Sequence, residues 1–145
     1  MNIVKTYFNK RDWQFTQPNN KNTFFLGFGG QHGTFQTILD LPNTDSMTFF
    51  SIYGSNIPGD KRIEILILIN LINNDRFLGN FEMNPESGEL RYKTCLSLKN
   101  IELNDHILDE IIITNITTMD KFIPAIKDVL FNNTSPEAAY APLTS

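Results

Sequence analysis

The sequence predicts an α+β fold, with a mostly antiparallel five-stranded sheet packed against helices. Three observations carry this. Apolar residues alternate along five short segments and recur at helical spacing along others. The segments run helix, three strands, helix, two strands, helices, so strands and helices do not alternate. Turn residues close the gaps between consecutive strands.

Composition sets the frame. At 145 residues the chain suits one domain, 1–145, with one modest core. Charged residues are 19% and hydrophobic residues 41%, a balance that folds. The net charge of −4, with scattered Lys and Arg, argues against nucleic acid and anionic membrane surfaces as partners. The single cysteine, Cys95, excludes an internal disulfide and fits a reducing compartment. Residues 1–25 carry Lys5, Lys10, Arg11 and Asp12 without a continuous apolar run, so no secretory signal is expected. The N-x-S/T triplets at Asn115, Asn132 and Asn133 are then chance matches. No apolar run reaches the roughly 18–20 residues that span a bilayer. A cytoplasmic protein is the expectation.

Along the chain, Ile3, Val4, Tyr7 and Phe8 predict a short helix over residues 2–11. Gln17, Pro18, Asn19 and Asn20 break it off. Phe24, Leu26 and Phe28 alternate on one strand and Phe35, Thr37, Leu39 and Leu41 on the next, around a glycine-rich turn. Residues 42–46 turn the chain into a third strand, MTFFSIYGS. Later, Phe81 and Met83 pair with the alternating Leu90, Tyr92, Thr94, Leu96 and Leu98 across the turn residues 84–88. Arg91, Lys93 and Ser97 point the other way, which predicts a solvated sheet face. From Asn104 onward, Ile112, Ile116, Met119, Ile123, Ile126 and Leu130 form a helical seam. Pro124 is expected to kink or split this helix, with Thr117 or Thr118 capping the second piece. Beyond about residue 132 the chain reads as a polar, flexible tail, with residues 135–139 as a final turn of helix.

The segment RIEILILINLIN, residues 62–73, is ambiguous locally. Its isoleucines alternate as on a strand. Pro58 and Asp60 mark a helix start, Asn73 and Asn74 mark an end, and the length suits a helix. As a helix it is apolar on most sides, which predicts burial on most sides. One side covers the sheet, and the other needs a second helix or a second chain. Ile65, Leu66 and Ile69 are the candidate residues for a protein interface. Replacing Leu66 or Ile69 by Asp is expected to weaken association while sparing the fold.

Reactive constellations are weak. GFGGQHG resembles a phosphate loop, but His32 stands where a glycine is needed and a strand follows, so a hairpin turn is the reading. Glu82, Glu86 and Glu89 lack the ligand order of a calcium loop. His32 and His106 lie in different elements, with no adjacent ligand pattern. Cys95 reads as a half-buried, inert thiol. Trp13 and the phenylalanines read as core before they read as a ligand pocket. No catalytic residue, metal or cofactor is expected.

Four motifs in order carry a resemblance: Gly79-Asn80-Phe81-Glu82, Glu89-Leu90-Arg91-Tyr92-Lys93-Thr94, Thr118-Met119-Asp120-Lys121-Phe122-Ile123-Pro124 and Ser135-Pro136-Glu137-Ala138-Ala139. Over residues 22–140 the chain resembles the YbjN-like family, described as bacterial sensory transduction regulators. The resemblance implies a type III secretion chaperone-like fold, a helix over residues 58–74 and a tendency to dimerise. It carries no catalytic residues. The function expected is a non-enzymatic, protein-binding sensory transduction regulator, as a homodimer with an unidentified protein partner. The alternatives are a secretion-chaperone-like holder of a client segment and a small-molecule sensor.

Overall fold

The computed structural model describes residues 2–144. Helix α1 spans Asn2–Lys10, followed by strands β1 (Thr23–Gly29), β2 (Thr34–Asn43) and β3 (Ser46–Ile52). Helix α2 (Arg62–Asn74) precedes strands β4 (Asn80–Met83) and β5 (Leu90–Ser97). Helices α3 (Asp105–Phe131) and α4 (Pro136–Tyr140) complete the chain. The five strands form one sheet in the order β1-β2-β3-β5-β4, every neighbouring pair antiparallel. The fold is therefore α+β, and the strand-like alternation within residues 62–73 belongs to a helix.

Alternation sorts the sheet into two faces. Phe24, Leu26, Phe35, Leu39, Leu41, Met47, Phe49, Phe81, Leu90 and Tyr92 are buried on the inner face, which the helices cover. The opposite face is open, and there Phe25, Ile38 and Phe50 stand in register with Lys93 and Asn80. Along β5 the chain reads buried at Leu90, Tyr92 and Thr94 and more open at Arg91, Lys93 and Cys95, as a one-sided sheet requires.

Helix α1 buries Val4, Tyr7 and Phe8. The Tyr7 hydroxyl donates to Asp109 on α3 at 2.6 Å. Burial, then that bond, pushes the phenol pKa well above its ordinary value. Arg11 covers the Tyr7 ring at 3.6 Å and reaches the same carboxylate at 3.1 Å. One end of the molecule is thereby tied to α3.

Helix α3 is a single 27-residue element with Pro124 inside it, not two pieces. Its start is capped by Asn104, whose side chain accepts from the Ile107 N–H at 2.9 Å. Thr117 and Thr118 start no second helix. Their hydroxyls donate back to Ile113 and Thr114 carbonyls, each at 2.7 Å. The inward stripe is Leu108, Ile111, Ile112, Asn115, Thr118, Met119, Phe122, Ile123, Ala125, Ile126 and Val129. Ile116 and Leu130, expected on the seam, are only half-buried against it.

Asn115 is the exception in that stripe, a polar residue with no exposure. Its amide N–H groups donate to the carbonyls of Phe49 (2.9 Å) and Tyr92 (3.1 Å) and to the Thr94 hydroxyl (3.1 Å). Its carbonyl accepts from the Ser51 hydroxyl at 2.6 Å. Thr94 in turn donates to the Ile111 carbonyl at 2.8 Å. This polar seam divides the apolar interior. Leu108, Ile111 and Ile112 pack with α1 and the first strands, whereas Met119, Phe122 and Ile126 pack with α2 and α4.

The segment after 132 contains helix α4, packed on the rest of the chain. Ser135 caps α4 through the Ala138 N–H at 3.2 Å, and Pro136, Ala139 and Tyr140 are buried. The Tyr140 hydroxyl donates to Asp75 just beyond α2, and this bond, with burial behind it, raises the phenol pKa. Helix α4 thus supplies the second helix that one side of α2 needs.

Replacing Asn115 by Leu takes the acceptor from the buried Ser51 hydroxyl, at about 1–3 kcal/mol for that group left without a partner, and removes the second bonds of two strand carbonyls. Urea unfolding of Asn115→Leu should give a midpoint far below that of the parent, and an unchanged midpoint would refute the clamp.

Candidate protein-binding surfaces

Helix α2 has one buried side and one open side. Ile65, Leu68, Ile69 and Ile72 are buried against the rest of the chain. Ile63, Leu66 and Ile67 are 74%, 47% and 43% exposed, and Phe77, just past the helix, is 103% exposed. Of the three residues expected at an interface, then, Leu66 faces outward, while Ile65 and Ile69 belong to this chain's own core. The reason is helical geometry: consecutive residues stand about 100° apart, so Ile65 and Leu66 cannot share a face. Ile63 and Ile67, four residues apart and flanking Leu66, are the true companions. The expectation of burial on most sides fails within the single chain.

Both ends of α2 are fastened. Arg62 donates to the carbonyls of Ile57, Pro85 and Glu86, at 3.1, 3.2 and 3.3 Å, and so binds the helix start to the 84–88 turn. Gly88 lies there with φ +78, and a Cβ on it would meet the Ile57 carbonyl at 2.4 Å. At the other end, the Asn73 side chain accepts from the Phe81 N–H (2.7 Å) and donates to its carbonyl (3.0 Å). Asn73 thus ends the helix by docking it on β4.

The open sheet face is the second surface. Phe25, Ile38, Phe50 and Ile52 are its apolar residues, half-buried or exposed. Glu82 accepts from Arg91 at 2.6 Å and Lys93 at 3.1 Å beside them, and Arg91 covers the Phe50 ring at 4.4 Å. Partial burial works against ionising Glu82, but the bonds from Lys93 and Arg91 outweigh it and hold the carboxyl below its ordinary pKa. The β1 edge is partly occupied, because Thr16 bridges Phe25. Strand β4, on the other edge, is four residues long.

The glycine-rich turn supplies a third feature. Asp120 on α3 accepts from the backbone N–H groups of Gln31 (3.2 Å) and His32 (2.9 Å). The amides that make GFGGQHG resemble a phosphate loop are turned to a carboxylate of the same chain. A Cβ on Gly30 would lie 2.1 Å from the Asp120 carboxylate oxygen, so a side chain there displaces the carboxylate. An open cavity of about 460 Å³ lies beside this contact, lined by Phe28, Phe35, Ile116, Thr117 and Lys121 among others.

The remaining candidates are not brought together. His32 is exposed on the turn and His106 is exposed in the first turn of α3. Cys95 is exposed on the open sheet face, not half-buried, because its strand phase is that of Lys93 and Ser97. Glu86 and Glu89 sit by a turn closed by Asn84, whose side chain accepts from the Glu86 and Ser87 N–H groups at 2.9 and 3.0 Å. Among the described residues, no group of three or more His, Cys, Asp and Glu could hold a metal ion. No helix of the described residues is long and apolar enough to cross a membrane.

Sequence reasoning placed Asn73 at a helix end and Asp120 in a motif, but it gave neither its tertiary partner, and it gave Asn115 no structural role. Asn115 left one trace, a polar residue in phase with Leu108, Ile112, Met119 and Phe122. The amides that Asp120 holds lie some 88 residues away.

The described residues thus form a one-sided antiparallel sheet, backed by a long helix and edged by an apolar helix face, in an α+β fold. The YbjN family profile, described as "Putative bacterial sensory transduction regulator", matches residues 2–128, and the chain belongs to that family. No curated protein sequence matches. Among solved structures, the chain is similar to one described as "Crystal structure of YbjN, a putative transcription regulator from E. coli", with TM-score 0.62 and 11% identity over 91% of this chain and 90% of that one. It is also similar to a chain of the HopA1-SchA chaperone–effector complex, with TM-score 0.54 and 10% identity over 83% of this chain and 88% of that one. At such identities the likeness is one of fold.

A double-mutant cycle tests the turn contact. Gly30→Ala alone should lower stability by about 1–3 kcal/mol, because it pushes the Asp120 carboxylate off two amides. In an Asp120→Ala background the same change should cost little, as read by thermal unfolding of the four proteins.

Proposed function

We propose that the protein is a non-catalytic regulator that works by binding protein, as a homodimer joined through the outer side of α2. The observation that carries this is the open row of Ile63, Leu66 and Ile67, with the fully exposed Phe77 beyond it. Such a row on a small domain suits a covered surface, and aromatic anchors dominate the energetics of such contacts. A symmetric pair of α2 helices would bury it on both chains at once. Family membership supports a regulator, and the likeness to a chain from a chaperone–effector complex supports protein as the partner class. The net charge of −4 and the single cysteine suit a cytoplasmic protein that does not bind nucleic acid.

A second reading has one observation in its favour. Phe25, Ile38, Phe50 and Ile52 form an apolar strip on the open sheet face, on which an extended client segment could lie. Under that reading Phe50→Asp abolishes client capture and leaves the dimer intact. Under the first reading it leaves self-association untouched and capture has no client to lose.

Light scattering over a dilution series tests the dimer. Leu66→Asp should weaken self-association by about tenfold or more, from the loss of roughly 1.5–3 kcal/mol per buried side chain, with the circular dichroism unchanged. Ile69→Asp should unfold the chain instead, because Ile69 is only 5% exposed. A parent protein that stays monomeric at every concentration sinks the dimer.

A further inference from the structure

We infer that Arg76 anchors a binding site for a singly charged carboxylate, in the groove between residues 75–78 and α3. The chain has four arginines, and three of them are engaged: Arg11 with Asp109, Arg62 with three carbonyls, Arg91 with Glu82. Arg76 stands apart. Among the described residues its guanidinium has no ion-pair partner and no hydrogen-bond acceptor, and its Nε is buried without one. It lies 5.3 Å over the Phe122 ring, which supports the cation but accepts no N–H bond. The neighbouring Asp75 carboxylate is held by the Tyr140 hydroxyl. A half-buried guanidinium in this state lacks the planar acceptor that its fork of N–H groups matches, and a carboxylate is that acceptor.

The groove around it has a volume of about 300 Å³ and is lined by Asp75, Arg76, Phe77, Leu78, Glu110, Thr114 and Thr118. That is room for one small acid or one side chain. Thr114 and Thr118 also line it, with the Thr118 hydroxyl donated to the Thr114 carbonyl, and Phe77 and Leu78 offer an apolar wall. Asp75 and Glu110 both line the groove, so a doubly charged phosphate meets repulsion that a single carboxylate meets less. The carboxylate comes either from a free organic acid or from an acidic side chain of a bound polypeptide. The groove shares Phe77 with the surface proposed for the dimer, so the test is run in the parent and in Leu66→Asp, where its outcome does not depend on the dimer.

The test follows the Arg76 Nε–H resonance of the ¹⁵N-labelled full chain, identified by its loss in Arg76→Gln, in both the parent and Leu66→Asp. The probes are 3-phenylpropionate, its neutral amide, and acetyl-Ala-Glu-Phe-Ala-amide with its Gln counterpart. A saturable shift with the carboxylates and none with the neutral partners is the expected result. Saturation by phenylpropionate assigns a free acid as sufficient, and saturation by the Glu peptide alone assigns a polypeptide source. Arg76→Gln should weaken binding by about tenfold or more, and Glu110→Gln should tighten it. Should Arg76→Gln fail to fold, Glu110→Gln and the neutral probes still decide. No saturable shift with either carboxylate overturns the site. So does a Glu110→Gln change that moves the Nε–H without any probe and leaves probe binding absent, since Glu110 would then be the internal partner.

Discussion

The amide of Asn115 is the contact on which the arrangement of the other elements depends. It holds the middle of the longest helix against the two central strands, β3 and β5, by four hydrogen bonds in a site with no exposure. A leucine at that position would bury as well, but it would let the helix slide or turn along an apolar sheet. The amide fixes register and rotation together, because its two N–H groups, shared among three acceptors, and its carbonyl meet groups of β3 and β5 at once. The two apolar clusters then form on either side of this point, one under α1 and one under α2 and α4.

That division bears on function. The cluster under α1 is closed by Tyr7, Arg11 and Asp109, and the helix covers it. The cluster under α2 is closed from inside by α4 and leaves the far side of α2 bare. The open sheet face has its own short apolar strip, guarded by the Glu82, Arg91 and Lys93 network. Among the described residues the molecule thus carries two bare apolar surfaces, with its histidines and its cysteine in separate elements. The Arg76 guanidinium, whose Nε has no partner among the described residues, lies beside Phe77 close to one of those surfaces.

The glycine-rich turn shows how a motif can look like a ligand site and serve the fold. Its amides converge as a phosphate loop's do, yet the group they hold is Asp120 of α3. Gly30 keeps that contact by leaving space rather than by its backbone angle, since the carboxylate lies where a Cβ would stand. The same logic governs Asn73, which ends a helix and at once pairs with a strand 8 residues on.

The sequence by itself determined the elements and their order. Period-two alternation in the strands and the turn residues at 84–88 required only neighbours along the chain, and the structure has them where the pattern puts them. The faces of β5 followed for the same reason. What only the tertiary structure decided was which side of α2 is covered. A helix of isoleucines and leucines is apolar around most of its circumference, so local pattern cannot choose; the docking of α4 and β4 chose the side of Ile65 and Ile69 and left that of Ile63, Leu66 and Ile67. Pro124 likewise did not divide α3, because burial of Phe122, Ile123, Ala125 and Ile126 on either side holds the chain helical through it. Asn115, Asp120 and Arg76 take their roles from groups dozens of residues away, or from a group they lack, and no window along the chain contains that information.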